Sequence, residues 1–275
     1  MARPYTEHTL KLPDGIEILY TDSGAPQTAD YTTLVIIHGT GFNACMCSSS
    51  YDVISFIGCS LDGFVRLQEH AHKHNLRIVA WNRRGYHGST KYTDEELADL
   101  KAGRKIFLDR LAVQTAWFLE HFIKHEKTPK ATADRAAGGF ILLGWSFGNV
   151  TALALFADPA VIPKALYETV EPHLRSLVLY DPPFQALGYP HPMPTGVYDP
   201  FKDPECTTPE ELYENFKQWV ASYYKHPDIA TGHPSGMSFE KRTDKRTISQ
   251  WTEEEKTTYC DTISAIGPDL LALSV

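Results

Sequence analysis

The sequence predicts an α/β fold: a doubly wound, mostly parallel sheet whose C-terminal part is incomplete, followed by a helical lid. Three observations carry the prediction. Short apolar runs rich in β-branched residues recur between residues 30 and 183. Helical stretches with one apolar face separate them, and that alternation implies parallel strands joined by helical crossovers. After Asp181 no further run of this kind occurs, and prolines take over.

Taken in order, the alternation of Thr6–Leu12, the turn Pro13-Asp14-Gly15 and the run Ile16–Thr21 read as a β-hairpin. TTLVIIHG, ended by Gly39, suits a strand buried on both faces. Residues 64–74 are amphipathic and predict a helix with Asn75 as its C-cap, leading into the strand LRIVAW at 76–81. Strand, helix, strand dictates a parallel crossover. Over 94–125, Phe107, Leu111, Phe118 and Phe122 recur at helical spacing and predict a long helix packed on the sheet. GGFILLGW and SLVLYDPP (176–183) are two more strands, and the helix between them breaks at Asp158-Pro159.

Beyond Asp181, Pro182, Pro183, Pro190, Pro192, Pro194, Pro200 and Pro204 mark a linker. Thr208-Pro209-Glu210-Glu211 and Thr252-Glu253-Glu254-Glu255 are capping-box patterns that open two lid helices. In the first, Leu212, Phe216, Trp219, Val220 and Tyr223 line one face. The expected organisation is a core over 1–183, carrying an extraneous insert at 45–62, and a Pro-rich linker with a helical lid over 184–275.

Composition removes several classes of function. A net charge of −8 argues against a nucleic-acid partner, whose affinity rests on counterion release by clustered Lys and Arg. No apolar run reaches the roughly 18 residues of a membrane span, and MARPYTEHTLKLPDG lacks the apolar stretch of a signal peptide. A cytoplasmic chain without a membrane partner is expected. Cys45, Cys47, Cys59, Cys206 and Cys260 are odd in number and lack zinc-site spacing, so free thiols and no metal or other cofactor are expected. The sequon Asn149-Val150-Thr151 falls in a turn with no room for a glycan. No feature specifies an oligomeric state.

Gly144-Trp145-Ser146-Phe147-Gly148 follows the strand GFILL and opens the helical run NVTALALFA. Small residues at 144 and 148 permit a tight turn that projects Ser146 from the strand end, with a helix N-terminus behind it. With His38-Gly39 after one strand and Asn82-Arg83-Arg84-Gly85-Tyr86-His87-Gly88-Ser89 after the next, this chain resembles the α/β-hydrolase superfamily over residues 5–183. The resemblance implies Ser146 as nucleophile, with the backbone N–H groups of Phe147 and Thr40 as the oxyanion hole and Gly41 as the neighbouring alternative to Thr40. It implies turn-shaping roles for His38 and for Arg84-Gly85. Relatives that open epoxides or displace halides carry aspartate where Ser146 stands, so acyl transfer to water, with a small-molecule acyl substrate, is the implied chemistry.

Asp181, at the end of SLVLYD, is the candidate acid that would orient a histidine. It is equally placed to cap the Asp-Pro-Pro turn. The family's histidine follows its last strand, and no such strand or histidine is legible after Asp181. His233, in Thr231-Gly232-His233-Pro234-Ser235, is the substitute that loop position offers. Two functions therefore stand: a serine hydrolase acting on an ester, lactone, thioester or amide, and a catalytically inactive ligand-binding protein on the same fold.

Residues 45–62 differ in composition from the rest and hold three of the five cysteines. The codons for Cys45-Met46-Cys47 can spell a GTATGT splice donor, and those for Leu61-Asp62 a TAG acceptor. A translated, retained intron is expected here, with a second one shortening the chain near Leu273 and leaving an unpaired, aggregation-prone sheet edge.

Overall fold

The computed structural model describes residues 5–41, 64–188, 197–253, 256, 260 and 265–269. The expected insert at 45–62 lies outside them, as do Glu254 and Glu255 of the second capping-box pattern.

The hairpin forms as read: β1 (Thr6–Lys11) and β2 (Glu17–Asp22) pair antiparallel. β3 (Thr32–Ile37), β4 (Leu76–Trp81), β5 (Phe140–Trp145) and β6 (Leu174–Tyr180) complete a six-stranded sheet of order β1-β2-β4-β3-β5-β6. The pairs β3–β4, β3–β5 and β5–β6 are parallel, and β2 meets β4 antiparallel. β3 is covered on both faces: Val35 and Ile37 enter the main core while Ile36 joins Ile78 and Ala71 on the other side.

Two helical readings are corrected. The stretch 64–74 forms only the short α1 (Val65–Gln68) and a 3-10 turn at His72–His74, although Asn75 ends it in the left-handed conformation with φ 55°. The stretch 94–125 is not continuous: α2 (Asp94–Lys101) stops and α3 (Lys105–His125) begins after Gly103, whose φ of 62° no helix accommodates. Asp99 then bridges the two helices through Arg104 and Arg110. Phe107, Leu111, Phe118 and Phe122 do form the buried face of α3. They pack with α4 (Gly148–Ala157), α5 (Lys164–Val170) and one face of the sheet in the main core.

β6 is the outermost strand among the described residues, and it is apolar but open. Val178, Leu179 and Tyr180 are 38%, 39% and 56% exposed, although successive residues of a strand point to opposite faces. Both faces at this edge are therefore uncovered by described residues. α6 (Pro209–Val220) follows the proline-rich stretch and is started by the capping box: the Thr208 hydroxyl accepts from Glu211 N–H, and the Glu211 carboxylate accepts from Thr208 N–H at 3.1 Å. No helix among the described residues is long and apolar enough to cross a membrane.

The cap of α6 is open to direct test. Replacing Thr208 with Ala removes one partner of an N-terminal amide and is expected to lower stability by about 1 kcal/mol, measured by urea denaturation.

Candidate active site

The site begins with a steric constraint at the end of β5. Ser146 takes φ 49°, a left-handed conformation that costs a non-glycine residue roughly 1–2 kcal/mol. The turn is held by Ser146 N–H donating to Tyr180 C=O at 2.9 Å and by Asn149, whose side-chain amide donates to Ser146 C=O at 2.7 Å and Tyr180 C=O at 3.1 Å. Asn149 is wholly buried, so the sequon has no room for a glycan. The turn also needs close backbone approach. A Cβ at Gly148 would lie 2.2 Å from Ile37 C=O, and one at Gly144 would lie 2.6 Å from Asn149 Cα. Only glycine fits at either place, which is the physical content of the sequence pattern.

Thr40 and Phe147 face the same cavity as Ser146. Neither backbone N–H has a hydrogen-bond partner among the described residues. Gly41 differs. Its N–H donates to the Tyr86 hydroxyl at 2.8 Å and its C=O accepts from the Tyr213 hydroxyl of α6 at 2.8 Å. The Gly41 amide is thus engaged elsewhere, whereas the Thr40 amide has no partner among the described residues. Gly41 has φ 77°, and a Cβ there would meet the Tyr213 ring at 2.6 Å.

His38 and Arg84 occupy structural positions. The buried His38 ring accepts from Arg83 N–H at Nε2 (3.1 Å), so the network assigns its proton to Nδ1, which donates to Gly39 C=O at 2.8 Å. Arg84 forms a forked pair with Glu96 and lies over the Tyr92 ring at 4.4 Å.

The cavity measures about 290 Å³. Pro183, Phe184, Phe201, Phe216 and Trp219 give it apolar walls, and Asp181 and Tyr198 are among its polar groups. Asp181 sits at the end of β6 with φ 48°, and its carboxylate has no partner among the described residues. It does not cap its own turn. No described histidine lines the cavity. His233 is exposed and turned to its own loop, where Nδ1 accepts from Ser235 N–H at 3.2 Å and lies 2.9 Å from the Ser235 hydroxyl. His173 bonds Thr169 C=O at the opposite end of β6, and His226 accepts from Ser238 N–H. Among the described residues no group of His, Cys, Asp or Glu converges as a metal site would require.

Sequence reasoning missed four residues behind this site: Arg83, Tyr86, Tyr213 and Asp269. Arg83 and Tyr86 lie within the Asn82–Ser89 motif, so a signal existed for them. Tyr213, three residues before Phe216 and seven before Val220, borders the apolar face of its helix, which signals its burial but not the partner of its hydroxyl. Asp269 carries no sequence signal, because nothing in Gly267-Pro268-Asp269 marks a buried ion pair.

With this geometry the family follows. The alpha/beta hydrolase family model matches residues 34–257, and the chain belongs to that family. Among solved structures, the epoxide hydrolase VrEH1 from Vigna radiata is similar at 13% identity, covering 98% of this chain and 71% of that one with a TM-score of 0.52. The esterase EaEST from Exiguobacterium antarcticum is similar at 17% identity over 98% of this chain and 74% of that one, with a TM-score of 0.48. Likeness at such identity extends to the fold. No curated protein matches the sequence.

Hydrogen-bonded to the cavity residue Tyr198 is a titratable group with a defined acid limit. Lys241, hydrogen bonds from the Tyr198 hydroxyl and the Glu205 amide hold the buried Asp203 carboxyl down at about 2. The unfolded group titrates near 3.9, so this contribution to stability is complete above about pH 4 and is lost as pH falls toward 2. Acidification through that window is expected to change the fluorescence of the cavity residue Trp219, and Asp203→Asn is expected to abolish that transition.

Proposed function

We propose that this chain is a serine-dependent hydrolase acting on the carbonyl of an ester, lactone, thioester or amide. The observation that carries the reading is one cavity lined by a serine held at positive φ and by two residues whose backbone amides have no partner among the described residues. The Ser146 hydroxyl attacks the carbonyl carbon and passes its proton to a general base that Asp181 would orient. The resulting oxyanion accepts hydrogen bonds from Thr40 N–H and Phe147 N–H. Collapse of the tetrahedral adduct breaks the bond to the leaving group, which takes up the proton. Water then cleaves the acyl-enzyme, releasing the acid and restoring Ser146.

The apolar walls favour a small-molecule acyl substrate carrying a bulky or apolar group. Epoxide opening is a property of a structural relative at 13% identity and does not transfer to this chain. A serine at position 146 supports an acyl intermediate. Free thiols at Cys206 and Cys260 support a reducing, cytoplasmic setting.

A second reading, a ligand-binding protein without turnover, is favoured by one observation: no described histidine lines the cavity. Labelling by a fluorophosphonate separates the two. The hydrolase reading expects stoichiometric modification that Ser146→Ala abolishes. Folded protein that takes up no label would favour the binding protein instead.

A further inference from the structure

We infer that Asp269 is a positioning residue for the Thr40 oxyanion donor, acting through Arg83 and Tyr86. Its chemical consequence rests on the acyl-transfer reading above; its geometry does not.

The loop Gly39-Thr40-Gly41 follows β3 and is clamped on three backbone groups. Gly39 C=O accepts from Arg83 Nη2 at 3.1 Å as well as from His38. Gly41 N–H and Gly41 C=O are held by the hydroxyls of Tyr86 and Tyr213. Thr40's own backbone N–H, C=O and buried hydroxyl have no partner among the described residues. Thr40 lines the cavity that holds Ser146.

Asp269 is what holds the clamp. It is 0% exposed, and its carboxylate accepts from Arg83 Nη1 at 3.0 Å, from Arg83 Nη2, and from the Tyr86 hydroxyl at 2.6 Å. Since Tyr86 directs its own proton at Asp269, its oxygen is free to accept from Gly41 N–H. Burial raises the Tyr86 phenol well above its ordinary range, and the Asp269 charge raises it further, so the hydroxyl stays protonated. Arg83 reaches the other half of the site as well, its guanidinium carbon lying 5.5 Å from the centre of the Phe147 ring.

A buried ion pair is a weak way to stabilise a fold, because desolvation consumes most of its Coulombic gain. What this pair adds is direction. A carboxylate 228 residues along the chain from Gly41 holds Arg83, which fixes Gly39 C=O and with it the peptide plane that carries the Thr40 N–H, and it orients Tyr86, which fixes the next peptide at Gly41 N–H.

The test uses amide hydrogen exchange and fluorophosphonate labelling on the full chain, comparing the wild type with Asp269→Asn and Tyr86→Phe. The second variant keeps the ring and the ion pair and removes only the hydroxyl. Exchange at the Gly41 amide is expected to accelerate about tenfold or more in both variants, with the β5 amides unchanged, and labelling of Ser146 to slow by about the same factor. Unchanged Gly41 exchange in Tyr86→Phe, or acceleration spread equally over Gly41 and β5, would overturn the inference and leave the pair a plain fold staple. Wild-type labelling rates in variants whose Gly41 exchange has accelerated would also overturn it. A wild type that takes no label while Gly41 exchange responds as expected removes the acyl-transfer reading and leaves the clamp standing.

Discussion

At the carboxyl end of β5 the backbone of Gly148 lies so close to the Ile37 and His38 carbonyls that no side chain fits between them. This contact lets α4 start directly over β3, and it forces the residue between strand and helix into a left-handed turn. Ser146 occupies that turn, so its hydroxyl stands clear of both elements and its own amide is bonded to Tyr180. The parallel pairing of β3, β5 and β6 brings Gly39–Gly41, Ser146 and Asp181 to one edge. The site is thus a consequence of strand register as much as of residue type.

Around that turn, polar groups are distributed with little left over. Buried backbone amides and carbonyls carry a large desolvation cost unless they are paired. The loop after β3 meets that demand with side chains from two distant places, the turn after β4 and α6, and Asp269 in turn holds those from the turn. The groups without a partner among the described residues include the amides of Thr40 and Phe147, residues that line the cavity. An unpaired donor beside a serine is what a developing oxyanion requires, and a preorganised donor needs no rearrangement when charge appears. The same arrangement couples α6 to the loop, because Tyr213 both bonds Gly41 and fills the space a Cβ there would take.

The sheet is buried unevenly. α3, α4 and α5 bury one face in a continuous core of aromatic and branched residues, while the far edge at β6 exposes Val178, Leu179 and Tyr180. An apolar edge strand with unpaired backbone groups is a template for association with other chains, and charge does little to blunt it here, since Arg175 is the one charged residue of the strand. Asp181 ends that same edge strand, so the open edge and the open carboxylate belong to one region.

Much of this architecture is legible in the order of residues alone. The hairpin, the four parallel strands, the apolar face of α3 and the capping box of α6 follow from periodicity, β-branching and turn chemistry, which are local properties. The turn at Ser146 is legible because glycine at 144 and 148 reports a steric demand that few other contexts make. The break at Gly103 and the brevity of α1 are not, because one glycine or a few apolar residues weigh little against a helical pattern. What the sequence could not determine is which groups meet across long separations. That the Gly41 amide is engaged depends on a tyrosine 45 residues away, and that tyrosine's orientation on an aspartate 183 residues beyond it. Such pairings leave no periodic trace, since they are made by desolvation and geometry in the folded core; only the tertiary structure decides them.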